Sequence, residues 1–191
     1  VISSCAFIRN DAGSQPIAQA GALDIQSSAT VSQFSLLIEN SLFLNCSAEY
    51  ARRDSAVGGS AGAIFVAFFG EQTSDVDIRI SNCEFDGQRG GRFAEGSTRQ
   101  VAAAAVAIAF VADRGSWVNR TRIAIAGSRF VRQLGGFGGN NQALSVLSGA
   151  IGIAFEAPVH DATLDLAGNV FSHLSTGPEV KPGSILFSIC V

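Results

Sequence analysis

The chain carries little charge and no long apolar run, and these deficits exclude several classes of protein. Charged residues make up only 15% of the 191 residues and hydrophobic residues 47%, which is not the composition of a disordered chain. The longest apolar run, Val101–Ala112, is too short to span a bilayer as a helix and predicts a buried element. No segment has the pattern of a secretory signal peptide.

Basic side chains are few and scattered. The 13 lysine and arginine residues, almost all arginine, form neither a basic stripe nor a basic amphipathic helix. We therefore expect no nucleic-acid partner and no binding to a membrane surface. Methionine is absent and the chain begins at Val1, so we expect a single domain, residues 1–191, that is a piece of a longer protein.

One short pattern, an aliphatic residue followed five positions later by phenylalanine, recurs along the chain. Successive phenylalanines are 36, 42, 45 and 41 residues apart. The copies are Ile2–Phe7, Ile38–Phe43, Ile80–Phe85, Ile125–Phe130 and Leu166–Phe171. Because repeats of this length stack on one another, we expect Phe7, Phe43, Phe85, Phe130 and Phe171 to form one interior stack.

A second pattern alternates with the first and has the period of a β-strand. A small residue is followed by apolar residues two and four positions later. The small residues are Gly21, Gly62, Ala104, Gly149 and Gly183. We call these segments strand one, the aliphatic segment before each turn strand two, and the segment ending at phenylalanine strand three.

A turn-prone residue separates strands two and three in every copy. Asparagine and glycine tolerate the left-handed conformation that a sharp corner needs. The corner residues are Ser4, Asn40, Asn82, Gly127 and Gly168, each followed by a small or polar residue: Cys5, Ser41, Cys83, Ser128 and Asn169. We expect these followers to stack inside the corner.

The two patterns together predict an all-β fold, a right-handed parallel β-helix (solenoid) of about five coils. Each coil has three short strands, and neighbouring coils bury a continuous core. Long Gly-, Ser- and Arg-rich loops are expected on one edge, at Ser47–Ser60, Gln88–Arg99 and Gly135–Ser145. We expect the coils to continue beyond this chain.

The repeat resembles that of the polymorphic outer-membrane proteins, which are adhesin-like surface proteins, and more broadly the pectin-lyase-like β-helix superfamily. Gly62-Ala63-Ile64 and Gly149-Ala150-Ile151 match the Gly-Gly-Ala-Ile motif, and Phe7 to Asn10 matches Phe-x-x-Asn. The resemblance implies a β-helix at a cell surface. It does not define the function, because this fold hosts adhesins, filament proteins, lyases and hydrolases.

Residues that could carry chemistry are few. Polysaccharide lyases and hydrolases need paired carboxylates or an acidic calcium site. Asp77 and Asp165 are two coils apart, and His160-Asp161 and His173 lack a third metal ligand. We therefore predict a solvated charged face, no catalytic residue, no metal site and no cofactor, and interpret the chain as a non-enzyme.

Two glycosylation sequons and four cysteines complete the candidates. Asn45 and Asn119 begin the sequons, lie near predicted turns, and are expected to be exposed. Cys5 and Cys83 share a repeat position two coils apart, beyond disulfide reach. Cys46 or Cys190 could bond to another part of the protein.

The outward positions of strand one form an unusual apolar face. They are Ala63, Phe65, Ala67, Ala105, Ala107, Ala109, Ala150, Gly152 and Ala154. An exposed apolar face of this size usually marks a partner surface. We expect it to pack against a protein partner or a second copy, with a long loop folded over it as the alternative. The regular outward threonines that an ice-binding plane would need are missing.

These observations favour a structural or adhesive glycoprotein unit of an extracellular surface protein or filament, assembled through the strand-one face. The alternative is a carbohydrate-binding or polysaccharide-degrading β-helix, in which case the partner is a glycan. An acidic cluster on one face would favour the alternative, and the sequence contains none that we can identify.

Overall fold

The computed structural model describes residues 1–12, 20–48, 50–51, 58–90, 92–93, 99–111, 117–135, 144–176 and 185–189. All elements in these ranges are strands. In chain order they are β1 (Ile2–Ser3), β2 (Ala6–Ile8), β3 (Leu23–Ser27), β4 (Val31–Glu39), β5 (Leu42–Leu44), β6 (Tyr50–Ala51), β7 (Gly58–Ala61), β8 (Ile64–Phe68), β9 (Gln72–Ser81), β10 (Glu84–Asp86), β11 (Arg92–Phe93), β12 (Arg99–Ala103), β13 (Val106–Phe110), β14 (Trp117–Ala126), β15 (Arg129–Val131), β16 (Leu134–Gly135), β17 (Leu144–Ser148), β18 (Ile151–Phe155), β19 (Val159–Asp165), β20 (Val170–Ser172), β21 (Ser175–Thr176) and β22 (Ile185–Ile189).

Three five-stranded parallel sheets contain most of these strands, and each follows the order of the sequence repeats. The orders are β3-β8-β13-β18-β22 for strand one, β1-β4-β9-β14-β19 for strand two and β2-β5-β10-β15-β20 for strand three. The pairing brings equivalent residues together, with Phe85 opposite both Phe43 and Phe130. The described chain is therefore all-β, with parallel sheets built by the repeat.

The five repeat phenylalanines form one interior stack. Their ring centroids are 4.8, 4.7, 4.8 and 5.0 Å apart along the chain, and the rings are nearly parallel. Phe43, Phe85 and Phe130 are fully buried, and the aliphatic residues of strands one and two pack around them. A second stack, which the sequence analysis did not predict, joins Phe68, Phe110 and Phe155.

The corner between strands two and three adopts the left-handed conformation in every repeat. The φ angles are 53° at Ser4, 50° at Asn40, 52° at Asn82, 59° at Gly127 and 68° at Gly168. This conformation is costly for most L-residues and mild for glycine and asparagine. We call this column of residues the first corner.

Two further left-handed columns were missed by the sequence analysis. Each repeats a positive φ at equivalent positions of successive repeats. The second corner follows strand three and consists of Arg9, Asn45, Gly87, Arg132 and His173. A mid-strand bend interrupts strand two at Gln33, Asp75, Arg120 and Asp161.

The segments predicted as bulging loops contain strand residues at 50–51, 58–60, 92–93, 99, 135 and 144–145, so the loop prediction is wrong there. β7, β12 and β17 pair in parallel as a three-stranded sheet, and the short strands β6, β11, β16 and β21 form two further pairs. Most of β12 and β17 follows the predicted loops. Residues 49, 52–57, 91, 94–98 and 136–143 of the same segments lie outside the described residues.

The strand-one face does not face solvent, so the prediction of an exposed partner surface is wrong. All nine positions are buried in the isolated chain: Ala63, Phe65, Ala67, Ala105, Ala107, Ala109, Ala150, Gly152 and Ala154. Phe65, Ala67, Ala107, Ala109 and Ala154 belong to a second apolar cluster that also contains Ala61 and Ala103. Ala61 ends β7 and Ala103 ends β12, so the ends of the strands that precede β8 and β13 pack in this cluster.

Removing a central ring from the phenylalanine stack should destabilise the fold strongly. Phe85 is fully buried between two parallel rings, so we expect Phe85→Ala to lower the free energy of unfolding by about 3–5 kcal/mol. Urea unfolding followed by circular dichroism measures this change. Val170→Ala, at a side chain 57% exposed, serves as the control and should change stability by no more than about 0.5 kcal/mol. Equal effects of the two substitutions would contradict the stacked core.

The left-handed first corner predicts a difference between two substitutions of one residue. At Asn82, with φ of 52°, alanine should cost about 1 kcal/mol because it lacks the short polar side chain that lets asparagine adopt this conformation by local hydrogen bonding. Glycine at the same position should be nearly neutral. Urea unfolding of Asn82→Ala and Asn82→Gly measures both, and a glycine variant less stable than the alanine variant would disprove the conformational explanation.

Candidate functional site

The polar residues that follow the first corner form a hydrogen-bonded ladder along the molecule. The Cys5 backbone N–H donates to Ser41 Oγ at 3.2 Å, and the Cys83 N–H donates to Ser128 Oγ at 3.1 Å. The Ser128 N–H donates to Asn169 Oδ1 at 2.9 Å. Ser41 and Ser128 are buried, so each hydroxyl satisfies a backbone group that the sharp corner would otherwise leave without a partner. The stacking predicted from the sequence is present.

An open groove of about 610 Å³ runs along the first corner across four repeats. Its lining is mixed: Ser4, Cys5, Ala6, Asn40, Ser41, Leu42, Asn82, Cys83, Glu84, Gly127 and Arg129. Asn40 and Asn82 are exposed at its rim, and Glu84 pairs with Arg129 at 3.4 Å. The groove therefore offers amides, a hydroxyl and one ion pair to a polar ligand.

The second corner has its own polar column, built from longer side chains. The Cys46 N–H donates to Gln88 Oε1 at 3.0 Å, and Gln88 Nε2 donates to the Phe43 carbonyl at 2.7 Å. Gln133 occupies the equivalent place one repeat later and donates to the Phe85 carbonyl at 2.8 Å. Cys46, Gln88 and Gln133 are all buried. Cys46 is therefore stacked on Gln88 of the next repeat.

A smaller groove of about 360 Å³ adjoins the second corner. Its lining includes Asn45 and Gly87 together with the side chains of Arg89, Arg132 and His173. Gln133, Leu134 and Ser175 complete the lining.

Ion pairs join two neighbouring repeats in one direction. Arg120 donates two hydrogen bonds to Asp75 at 2.6 and 2.8 Å, and Arg132 donates two to Asp86 at 2.8 and 2.6 Å. In both pairs, as in Glu84–Arg129, the acid belongs to the repeat of Phe85 and the arginine to the repeat of Phe130. The hydrogen bonds from arginine hold the pKa of Asp75 and Asp86 below its ordinary value.

The acidic and histidine candidates are not brought together. Asp77 pairs with Arg79 of its own strand, and β14 lies between β9 and the strand that carries Asp165. His160 and His173 are exposed, but His160 lies in β19 and His173 lies at the second corner. Among the residues that the structure describes, no three His, Cys, Asp or Glu side chains are placed to hold a metal ion.

The cysteines that the structure describes are free thiols. Cys5 is exposed in the first-corner groove, whereas Cys46 and Cys83 are buried. Burial raises the pKa of the Cys46 and Cys83 thiols, which keeps them protonated and unreactive at neutral pH. Cys190 lies outside the described residues.

The two sequon asparagines occupy different environments. Asn45 is exposed at the second corner, with a φ of 50°. Asn119 is only half-exposed and lies inside β14, paired with Ser74 of β9 and His160 of β19. The expectation of exposure therefore holds fully for Asn45 alone.

Comparison with family models, with curated protein sequences and with solved structures gives no match to this chain. In the described ranges, no helix has the length and hydropathy needed to cross a membrane.

The Asp86–Arg132 pair predicts a pH-dependent contribution to stability. Because the pKa of Asp86 is lowered in the folded state, its stabilisation is present above the ordinary carboxyl range, about 4, and is lost as the pH falls through the lowered value. We expect Arg132→Asn, which tolerates the positive φ, to be less stable than the parent at pH 7. That difference should shrink as the solution is made acidic.

Urea unfolding from pH 7 to pH 2 measures the effect. Arg9→Asn removes an exposed arginine at the equivalent second-corner position of the first repeat, with a φ of 53° and no carboxylate partner in the described structure, and it is the control. The difference between Arg9→Asn and the parent should be nearly constant over this range. A constant difference for Arg132→Asn as well would show that the pair contributes nothing.

Proposed function

We propose that the chain is a stretch of right-handed parallel β-helix, resembling the pectin-lyase-like superfamily and the repeats of polymorphic outer-membrane proteins. The support is the repeat-ordered parallel pairing of three sheets, with equivalent residues in register. The handedness follows from a general rule, since about 98% of crossovers between parallel strands are right-handed.

We further propose that this β-helix is a non-enzymatic structural or adhesive unit of an extracellular surface protein or filament. The observation that carries this proposal is that polar side chains of the described repeats serve the stack itself. Ser128 accepts a hydrogen bond from a backbone N–H of the preceding repeat, and Gln133 donates one to a carbonyl of the preceding repeat.

The charged side chains support the same proposal. Asp75, Glu84 and Asp86 pair with arginines of the next repeat, so these carboxylates link repeats and are not free for acid–base work. The strand-one face is not proposed as an assembly surface, because it is buried in the chain itself.

The first-corner groove favours a second candidate, a carbohydrate-binding or polysaccharide-degrading β-helix. Ligand sites are concave and carry a few placed polar groups. The groove has a volume of about 610 Å³ and presents the exposed amides of Asn40 and Asn82. The missing signature is a carboxylate pair free for acid–base work, because Glu84 in this groove pairs with Arg129.

A sugar-release assay and a glycan array distinguish the two candidates. The unglycosylated chain, produced in bacteria, should release no reducing or unsaturated sugar from a panel of polysaccharides, because Glu84 in the groove is paired with Arg129.

Release of unsaturated sugar from polyuronates would identify a lyase and would overturn the non-enzymatic function. Binding on a glycan array that Asn82→Gly abolishes would instead support the groove. Ser35→Ala, an exposed change on β4 outside the groove lining, is the control and should leave any such binding unchanged.

A further inference from the structure

The two sequons differ in how the fold presents the groups that N-glycosylation uses. The modified atom is the asparagine Nδ2, and the sequon also requires the hydroxyl of the Ser or Thr two residues later. The relevant comparison is therefore between Asn45 with Ser47 and Asn119 with Thr121.

Asn45 lies outside any strand, at the exposed second corner. Its Oδ1 rests against the backbone of Gly87, which has no side chain to compete for this space. Its Nδ2 donates no hydrogen bond within the described residues, and Ser47 is half-exposed. The groove lined by Gly87, Arg132 and Gln133 opens directly beside it, which leaves room for a first sugar.

Asn119 has the opposite environment. It lies in β14, between two paired strands. Its Oδ1 is buried without a hydrogen-bond partner in the described structure, and so is Thr121 Oγ1. Thr121 is only 1% exposed. A glycan on Asn119 would have to pull this amide out of the middle of a sheet.

We propose that the folded, secreted protein carries an N-linked glycan on Asn45 and none on Asn119. This inference rests on the extracellular placement proposed above. The co-reactant is an oligosaccharide held on a lipid diphosphate and transferred by an enzyme of the secretory pathway. Nδ2 forms a bond to the anomeric carbon and loses one proton, while the bond from that carbon to the diphosphate oxygen breaks and the lipid diphosphate leaves with the electron pair.

The test is to express the chain behind a secretion signal in a eukaryotic host and map the glycans on the secreted protein. Release by peptide N-glycosidase in heavy-oxygen water converts a glycosylated asparagine to a labelled aspartate, which peptide mass spectrometry locates. We expect the label at Asn45 and none at Asn119. Two matched variants each remove one sequon and leave its asparagine in place, namely Ser47→Ala and Thr121→Val.

Ser47→Ala should abolish the glycan. Thr121→Val should leave it unchanged and should be secreted at least as well as the parent, because it replaces a buried hydroxyl that has no partner with an apolar group of similar shape. A label at Asn119 in the secreted protein, or an unlabelled Asn45, would overturn the inference. Where Thr121→Val is poorly secreted, an unlabelled Asn45 in its intracellular pool counts against the inference equally.

These outcomes are separable from the sugar-release test of the proposed function, which uses chain made in bacteria without any glycan. A bare Asn45 in the secretory host leaves the result of that test unaffected. Sugar release by the bacterial chain would overturn the non-enzymatic function and leave the site of glycosylation unaffected.

Discussion

The ordered features of this chain depend on the backbone hydrogen bonds between successive repeats. These bonds run at one register through three parallel sheets, so each residue meets its counterpart in the next repeat. The phenylalanine rings therefore stack on one another. The left-handed corner residues form a column in the same way, and so do the small or polar residues that follow the first corner. A slip of one residue in this register would move each strand's side chains to the opposite face and break all of these columns together.

The sequence is sufficient to predict those columns whose members are chemically alike. The phenylalanine stack and the first corner were predictable because Phe, or Asn and Gly, recur at one position. The second corner could not be found in this way. Arg9, Asn45, Gly87, Arg132 and His173 share a positive φ and nothing else that a sequence pattern would detect. There the backbone geometry repeats while the side chains vary, since the path of the neighbouring repeats imposes the turn on each residue.

The strand-one face shows the limit of an alternation pattern. Alternation predicts which side chains share a face of the strand, but it does not predict whether the opposite face is exposed to solvent. β8, β13 and β18 are buried on both faces, as is typical of parallel sheets covered on both sides. A signal was present, because the run Val101–Ala112 has no polar residue at any position. The error came from overlooking the strands that precede β8 and β13, whose last residues, Ala61 and Ala103, pack in the cluster that buries this face.

The one-directional ion pairs have a consequence for how such a chain can change its length. Where similar residues stack on one another, a repeat can be duplicated or lost with little effect on packing, because any copy fits on any other. The arginines that form ion pairs with Asp75, Glu84 and Asp86 instead lie on the next repeat along the chain. An insertion between these two repeats would separate three pairs in one event, whereas an insertion elsewhere in the described stack would leave them intact. The third and fourth repeats, those of Phe85 and Phe130, are therefore joined by three ion pairs as well as by stacking.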